Sequence, residues 1–171
     1  MRKSVGKFAP LPLRFMIGFA FLYHGFPKLF TAAGHADFVG MLHQIGTPAA
    51  GLMSWVVAGI EFFGGLALIA GAFTTVTSFL LTLEMLVALF QVHLAMGFSF
   101  IHITGMTAQG PQFGLPGYEV NLLYIAGLLS LMLSGAGTFS VDEARKRQEA
   151  KPEKQTVITP EPEHVVRNSP L

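Results

Sequence analysis

Six ionisable side chains fall inside apolar stretches of this sequence, and their spacing decides what chemistry they could share. In RFMIGFAFLYHGFPKLF, residues 14–30, an otherwise apolar run carries Arg14, His24 and Lys28; Glu61 lies in IEFFGGLALIAG, Glu84 in LTLEMLVALF, and His93 soon after, with Glu119 at the edge of a further apolar run. An ionisable group at the centre of a bilayer costs about 2.5–3.5 kcal/mol on insertion scales, so each one is a functional hypothesis. At 100° per helical residue Arg14, Phe21 and Lys28 nearly align, with His24 one turn before Lys28, so the three cations share one wedge facing inward. Lysine and histidine there could donate hydrogen bonds to a ligand oxygen, and the carboxylates could take up its protons. The plainer alternative is structural: Arg14 snorkels to the cytoplasmic interface and the other charges pair to fix helix register.

These residues need apolar elements to hold them. The chain has 171 residues, 51% hydrophobic and only 12% charged, with a mean hydropathy of +0.54; a soluble domain is about one-quarter charged. Much of the charge lies in the last thirty residues, among them Arg145, Lys146, Arg147, Lys151 and Lys154. Crossing about 30 Å of hydrocarbon takes roughly 20 helical residues. Windows 11–30, 51–71, 74–96 and 119–135 meet that demand and read as helices rather than barrel strands. Only Gly71-Ala-Phe-Thr separates the second and third, which predicts an antiparallel hairpin. The loops 31–50 and 97–118 contain no lysine or arginine, whereas Arg2, Lys3 and Lys7 precede the first window and the basic cluster follows the fourth. The positive-inside rule then puts both termini in the cytoplasm.

The expected organisation is all-α: a cytoplasmic N-terminus over 1–10, a four-transmembrane-helix bundle over 11–141, and a polar cytoplasmic tail over 142–171. The tail should hold one short helix and then disorder, because KPEKQTVITPEPEHVVRNSPL lacks the apolar surface for a core. MRKSVGK before an apolar run has the outline of a signal peptide, but the polar interruptions favour a retained first span. QGPQFGLPGYE, with its glycines and prolines, predicts a structured turn before the fourth window.

Counting 1.5 Å per residue from the cytoplasmic ends puts His24, Glu61 and Glu84 near mid-bilayer and Lys28 closer to the level of Glu119. A Lys28–Glu119 ion pair is therefore expected, with His24 between Glu61 and Glu84. Thr77, Glu84 and Gln91 form a polar stripe at seven-residue spacing, and His93 should face away from Glu84.

Several classes are excluded or disfavoured. The net charge of +1 gives no basis for nucleic-acid binding, which depends on clustered cations. The absence of cysteine removes disulfide chemistry and thiolate-bound zinc or iron–sulfur clusters. His24, His35, His43, His93 and His102 show no local metal-ligand spacing, so no metal is expected.

RFMIGFAFLYHGFPKLF, then IEFFGGLALIAG, then GYEVNLLYIAGLLSLMLSGAGTFSVDE together resemble the DoxX family of small four-helix membrane proteins. The resemblance runs roughly from residue 13 to 142 and maps onto Arg14, His24, Gly25, Lys28, Glu61, Gly64, Gly65, Gly71 and Glu119; Glu84 and His93 do not map. It implies a multi-pass subunit of an oxidoreductase system in a bacterial-type cytoplasmic membrane, working near the quinone pool as in thiosulfate:quinone oxidoreductase or quinone detoxification. His24, Lys28, Glu61 and Glu119 are then the candidate catalytic residues, and Arg14, His24, Lys28, Glu61 and Glu84 the candidate quinone-binding ones. A redox-protein partner or a homo-oligomer in the lipid bilayer is implied as well. A non-catalytic scaffold for a soluble redox enzyme is the alternative, and a small-solute transporter ranks below both because no inverted repeat is visible.

Overall fold

The computed structural model describes residues 6–150; Arg2, Lys3 and the expected disordered tail lie outside them. A short 3-10 turn, Gly6–Phe8, leads into α1 (Pro10–Phe30), α2 (Ala32–Gln44), α3 (Ala50–Ala70) and α4 (Thr74–Ala88). α4 runs on through a π-helical turn, Leu89–His93, and a 3-10 turn, Leu94–Met96. Strands β1 (Ile103–Thr107) and β2 (Gly110–Phe113) then form an antiparallel hairpin, followed by α5 (Glu119–Ser134) and α6 (Val141–Glu149).

Each junction has a local cause. Pro10 opens α1, where a missing N–H costs nothing. Thr31 leaves the helix in an extended conformation, and its hydroxyl accepts the Gly34 N–H at 3.0 Å, so the same residue ends α1 and caps α2. Gly71, at φ +68°, closes α3, and its left-handed conformation suits glycine. Ser140 caps α6 by accepting the Glu143 N–H at 3.1 Å.

α1 and α3 make the most extensive helix pair. A Cβ on Gly65 would lie 2.6 Å from both the Gly18 carbonyl oxygen and the Leu22 amide nitrogen, and one on Gly25 would lie 2.6 Å from the Phe62 amide nitrogen. Backbone meets backbone at these points, as small residues allow in membrane helices. α1, α3, α4 and α5 all contribute to one core, built from Ile17, Phe21, Leu68, Leu81, Leu128 and Leu131. A smaller cluster of Phe38, Leu42 and Ala50 seats α2 against the start of α3.

The outer surface is apolar: Phe19, Tyr23, Phe63, Val87 and Leu133 are all exposed. Contiguous apolar surface of this kind marks contact with lipid or partners. Ala50–Ala70 and Thr74–Met96 are long and apolar enough to cross a membrane, and α5 is apolar but shorter. The two strands and α2 are elements that the all-helical expectation, with connecting loops over 31–50 and 97–118 and a structured turn in the second, did not contain.

Candidate functional site

α1, α2, α3, α4 and α5 enclose a cavity of about 640 Å³ whose lining includes His24, Lys28, Glu61, Glu84, His93 and Asn121. Its remaining wall is mainly apolar, with Phe21, Phe38, Leu42, Val57 and Met85. At its centre the Lys28 ammonium donates to Glu61 Oε1 at 2.5 Å. Lys28 also lies 4.3 Å from the centre of the Phe38 ring, so α2 supplies an aromatic face to the same cation. Glu61 is only 4% exposed. Glu84, from α4, lines the same cavity. One oxygen on each carboxyl, Glu61 Oε2 and Glu84 Oε2, has no hydrogen-bond partner among the described residues.

The sequence-based pairing of Lys28 with Glu119 is corrected. Glu119 instead accepts the Phe100 N–H at 2.9 Å and fastens the 97–118 loop to the start of α5. Axial rise gives depth but not which helix lies alongside, and the glycine crossing puts α3 next to α1. His24, expected between Glu61 and Glu84, is an exposed residue of the cavity lining with its ring edge-on to Tyr23. It is hydrogen-bonded to neither carboxyl.

His93 is the residue whose placement the sequence most misjudged. Nine regular α-helical positions from Glu84 would put it on the far side of the helix. The π-helical turn over Leu89–His93 inserts a residue, which turns everything after it by about 100°. His93 therefore joins Glu84 in the cavity lining, while Gln91 is exposed outside it, so the seven-residue polar stripe is broken. His93 Nδ1 lies 2.8 Å from the Pro116 carbonyl. A carbonyl only accepts, so Nδ1 carries the proton and Nε2 of a neutral ring is left as an acceptor. No α-helical pattern signals such a turn.

Arg14 is not in the cavity. It is 1% exposed and does not snorkel. Its guanidinium donates to the carbonyls of Ala136, Phe139 (2.9 Å) and Ile69 (3.3 Å), joining the end of α3 to the segment after α5. The sequence reading puts Arg14 among the ligand-binding residues; the structure spends its donors on the Ile69 carbonyl at the end of α3 and on two carbonyls of the segment after α5 instead.

Next to this knot, Asp142 caps α4 from a distance. Its two carboxylate oxygens accept the N–H groups of Phe73 at 2.8 Å and Thr74 at 2.9 Å, while its own N–H donates to the Gly71 carbonyl at 3.0 Å. Burial alone would raise its pKa, but the hydrogen bonds from Thr74 and Phe73, with nearby Lys146, outweigh burial and hold it below the ordinary 3.8. A depressed carboxylate stabilises the fold fully above its unfolded value and loses that contribution as pH falls through the folded value. Wild type should therefore be more stable than Asp142→Ala by about 1 kcal/mol at neutral pH, the usual worth of a helix cap. The gap should close as pH drops below about 4. Thermal midpoints of the two proteins in detergent across that range check this; a gap independent of pH would refute it.

Comparison with known proteins bears on residues 9–94, which match the family model described as DoxX. That span contains Arg14, His24, Lys28, Glu61, Glu84 and His93 and leaves out Glu119. A protein of Haemophilus influenzae, described only as uncharacterized, is 31% identical over 131 residues, covering 76% of this chain and 85% of that relative. No solved structure matches. A family match over half the chain, and a relative aligned along most of its length, make this membrane protein a member of the DoxX family.

Proposed function

We propose that this protein is the membrane subunit of a quinone-linked oxidoreductase system, and that the cavity around Lys28, Glu61 and Glu84 receives the quinone head group. The observation that carries this reading is an ammonium–carboxylate pair and a second carboxyl, each carboxyl with an oxygen lacking a partner among the described residues, in an otherwise apolar chamber. Buried polar atoms without partners are costly, so they point to a ligand that completes them.

The residues present fit such a group. Phe21, Phe38 and Val57 offer flat and aliphatic walls, Lys28 a donor for a carbonyl oxygen, and His93 Nε2 an acceptor. When bound, a quinone supplies two-electron, two-proton redox chemistry. Lys28 neutralises one carboxyl, and the other is available to hold a proton near the bound oxygen. His24, on the exposed part of the lining, is placed to exchange protons with the outer side. Electrons come from a redox-protein partner or from the quinol itself, since a cysteine-free chain cannot hold a dithiol or an iron–sulfur cluster.

The membrane arrangement belongs to the same proposal: four crossings by α1, α3, the Thr74–Met96 stretch and α5, in a bacterial-type cytoplasmic membrane with both termini inside. Its support is the apolar surface, the burial of Arg14 on α1, and the placing of lysine and arginine outside 31–50 and 97–118.

A short-chain benzoquinone or naphthoquinone is expected to raise the thermal midpoint of the detergent-purified protein. Glu84→Gln should weaken that effect by about tenfold in quinone concentration, the worth of one hydrogen bond. No shift with either quinone, together with no quinone retained in native mass spectrometry, would overturn the reading.

A further inference from the structure

The β1–β2 hairpin carries an apolar face that no part of the described chain covers. Ile103 pairs with Phe113 and Met106 with Pro111, and an irregularity between Ile103 and Gly105 adds a residue to β1. In a regular strand, residues three apart point to opposite faces. Here the extra residue turns Met106 back, so that Ile103, Met106, Pro111 and Phe113 share one face. Ile103 is 53% exposed, Met106 75% and Phe113 66%. Gln112 stands on the opposite face.

We infer that this face docks on the outer leaflet of the same membrane, with the hairpin lying in the lipid interface. Three observations favour lipid as the occupant. Residues 94–118 contain no lysine, arginine, aspartate or glutamate, whereas a protein-binding patch is bordered by a polar rim. The base of the hairpin is fixed to the helix ends: Gly117 and Tyr118 donate to the carbonyls of Ser99 and Gly97 at 3.0 Å, and Gly114 to that of His102 at 2.9 Å. Its apolar residues thus continue, through exposed Phe98 and Phe100, the exposed surface of Phe90 and Leu94 on the helix. Phe98 also meets Tyr118 edge-on at 5.5 Å, an aromatic pair of the kind enriched at the membrane–water boundary.

Docking has a consequence for the cavity, because Phe100, Pro116 and Gly117 belong both to the hairpin's base and to the cavity lining. A hairpin held in the leaflet keeps that side of the cavity in lipid. The docking itself does not depend on what the cavity binds.

Since the chain has no cysteine, single-cysteine labelling is clean. Met106→Cys, Phe113→Cys and Gln112→Cys, each carrying an environment-sensitive fluorophore, are reconstituted into phosphatidylethanolamine–phosphatidylglycerol vesicles containing lipids with nitroxides near the head group. Probes at 106 and 113 should emit to the blue and be quenched several-fold more than the probe at 112. Water-like emission without quenching at 106 and 113 overturns the inference, as does equal quenching on both faces. Blue emission that nitroxide lipids do not quench, and that grows with protein-to-lipid ratio, assigns the face to a second copy and also overturns it. Circular dichroism of each labelled protein, matching wild type, shows that the fold is intact.

Discussion

Lys28→Met should lower the stability of the detergent-solubilised protein by about 2–3 kcal/mol, below the 3–5 kcal/mol of a fully buried pair because the lysine side chain is 22% exposed. Glu61, 4% exposed, then loses its cation partner in the cavity that Glu84 also lines. Glu61→Gln should cost less, since Glu84 remains beside Lys28 as a substitute partner. The double variant, Lys28→Met with Glu61→Gln, should recover part of the loss, because an apolar group beside an amide leaves no bare charge. Unfolding in mixed micelles gives the four free energies of the cycle. The central pair is structural dead weight if the single changes add without coupling.

Arg14→Met has the larger expected effect. Three carbonyls, those of Ala136, Phe139 and Ile69, lose their donor at once. Hydrogen bonds to a charged group are worth about 1.5–3 kcal/mol each but do not add fully, so a loss of about 3–5 kcal/mol is expected. Arg14→Lys should rescue little of it: a single ammonium cannot reach in the three directions that a guanidinium fork serves. The readout is the yield of monodisperse protein and its thermal midpoint. A lysine variant as stable as wild type would show that charge, rather than the fork, is what the site requires.

The positions of the long helices were legible in the sequence. Apolar windows 11–30, 51–71, 74–96 and 119–135 coincide within a residue or so with Pro10–Phe30, Ala50–Ala70, Thr74–Met96 and Glu119–Ser134. The tight turn at Gly71 and the short helix at Val141–Glu149 were legible too, because glycine and a serine cap mark them locally. α2 was hidden because its buried face consists of little more than Phe38 and Leu42 within a mixed stretch. The hairpin was read only as a turn, since its two short strands are interrupted by glycine and proline.

The candidate site was half legible for a related reason. That His24, Lys28, Glu61 and Glu84 belong to one interior followed from the cost of burying charge. Their partners did not follow, because pairing depends on lateral neighbours that a one-dimensional depth estimate does not contain. Lys28 meets Glu61 because Gly18, Gly25 and Gly65 draw α1 against α3. His93 reaches the cavity through a change of helical winding that no residue type announces.

The bonds made by Arg14 also impose an order on biogenesis. Its partner carbonyl at Ala136 lies 122 residues downstream. At synthesis rates of 5–20 residues per second, roughly 6–25 s separate the two on the ribosome. During that interval Arg14 lacks two of its three acceptors, the carbonyls of Ala136 and Phe139, and has at most that of Ile69. The segment after α5 then supplies the missing carbonyls, so a late part of the chain locks an early one.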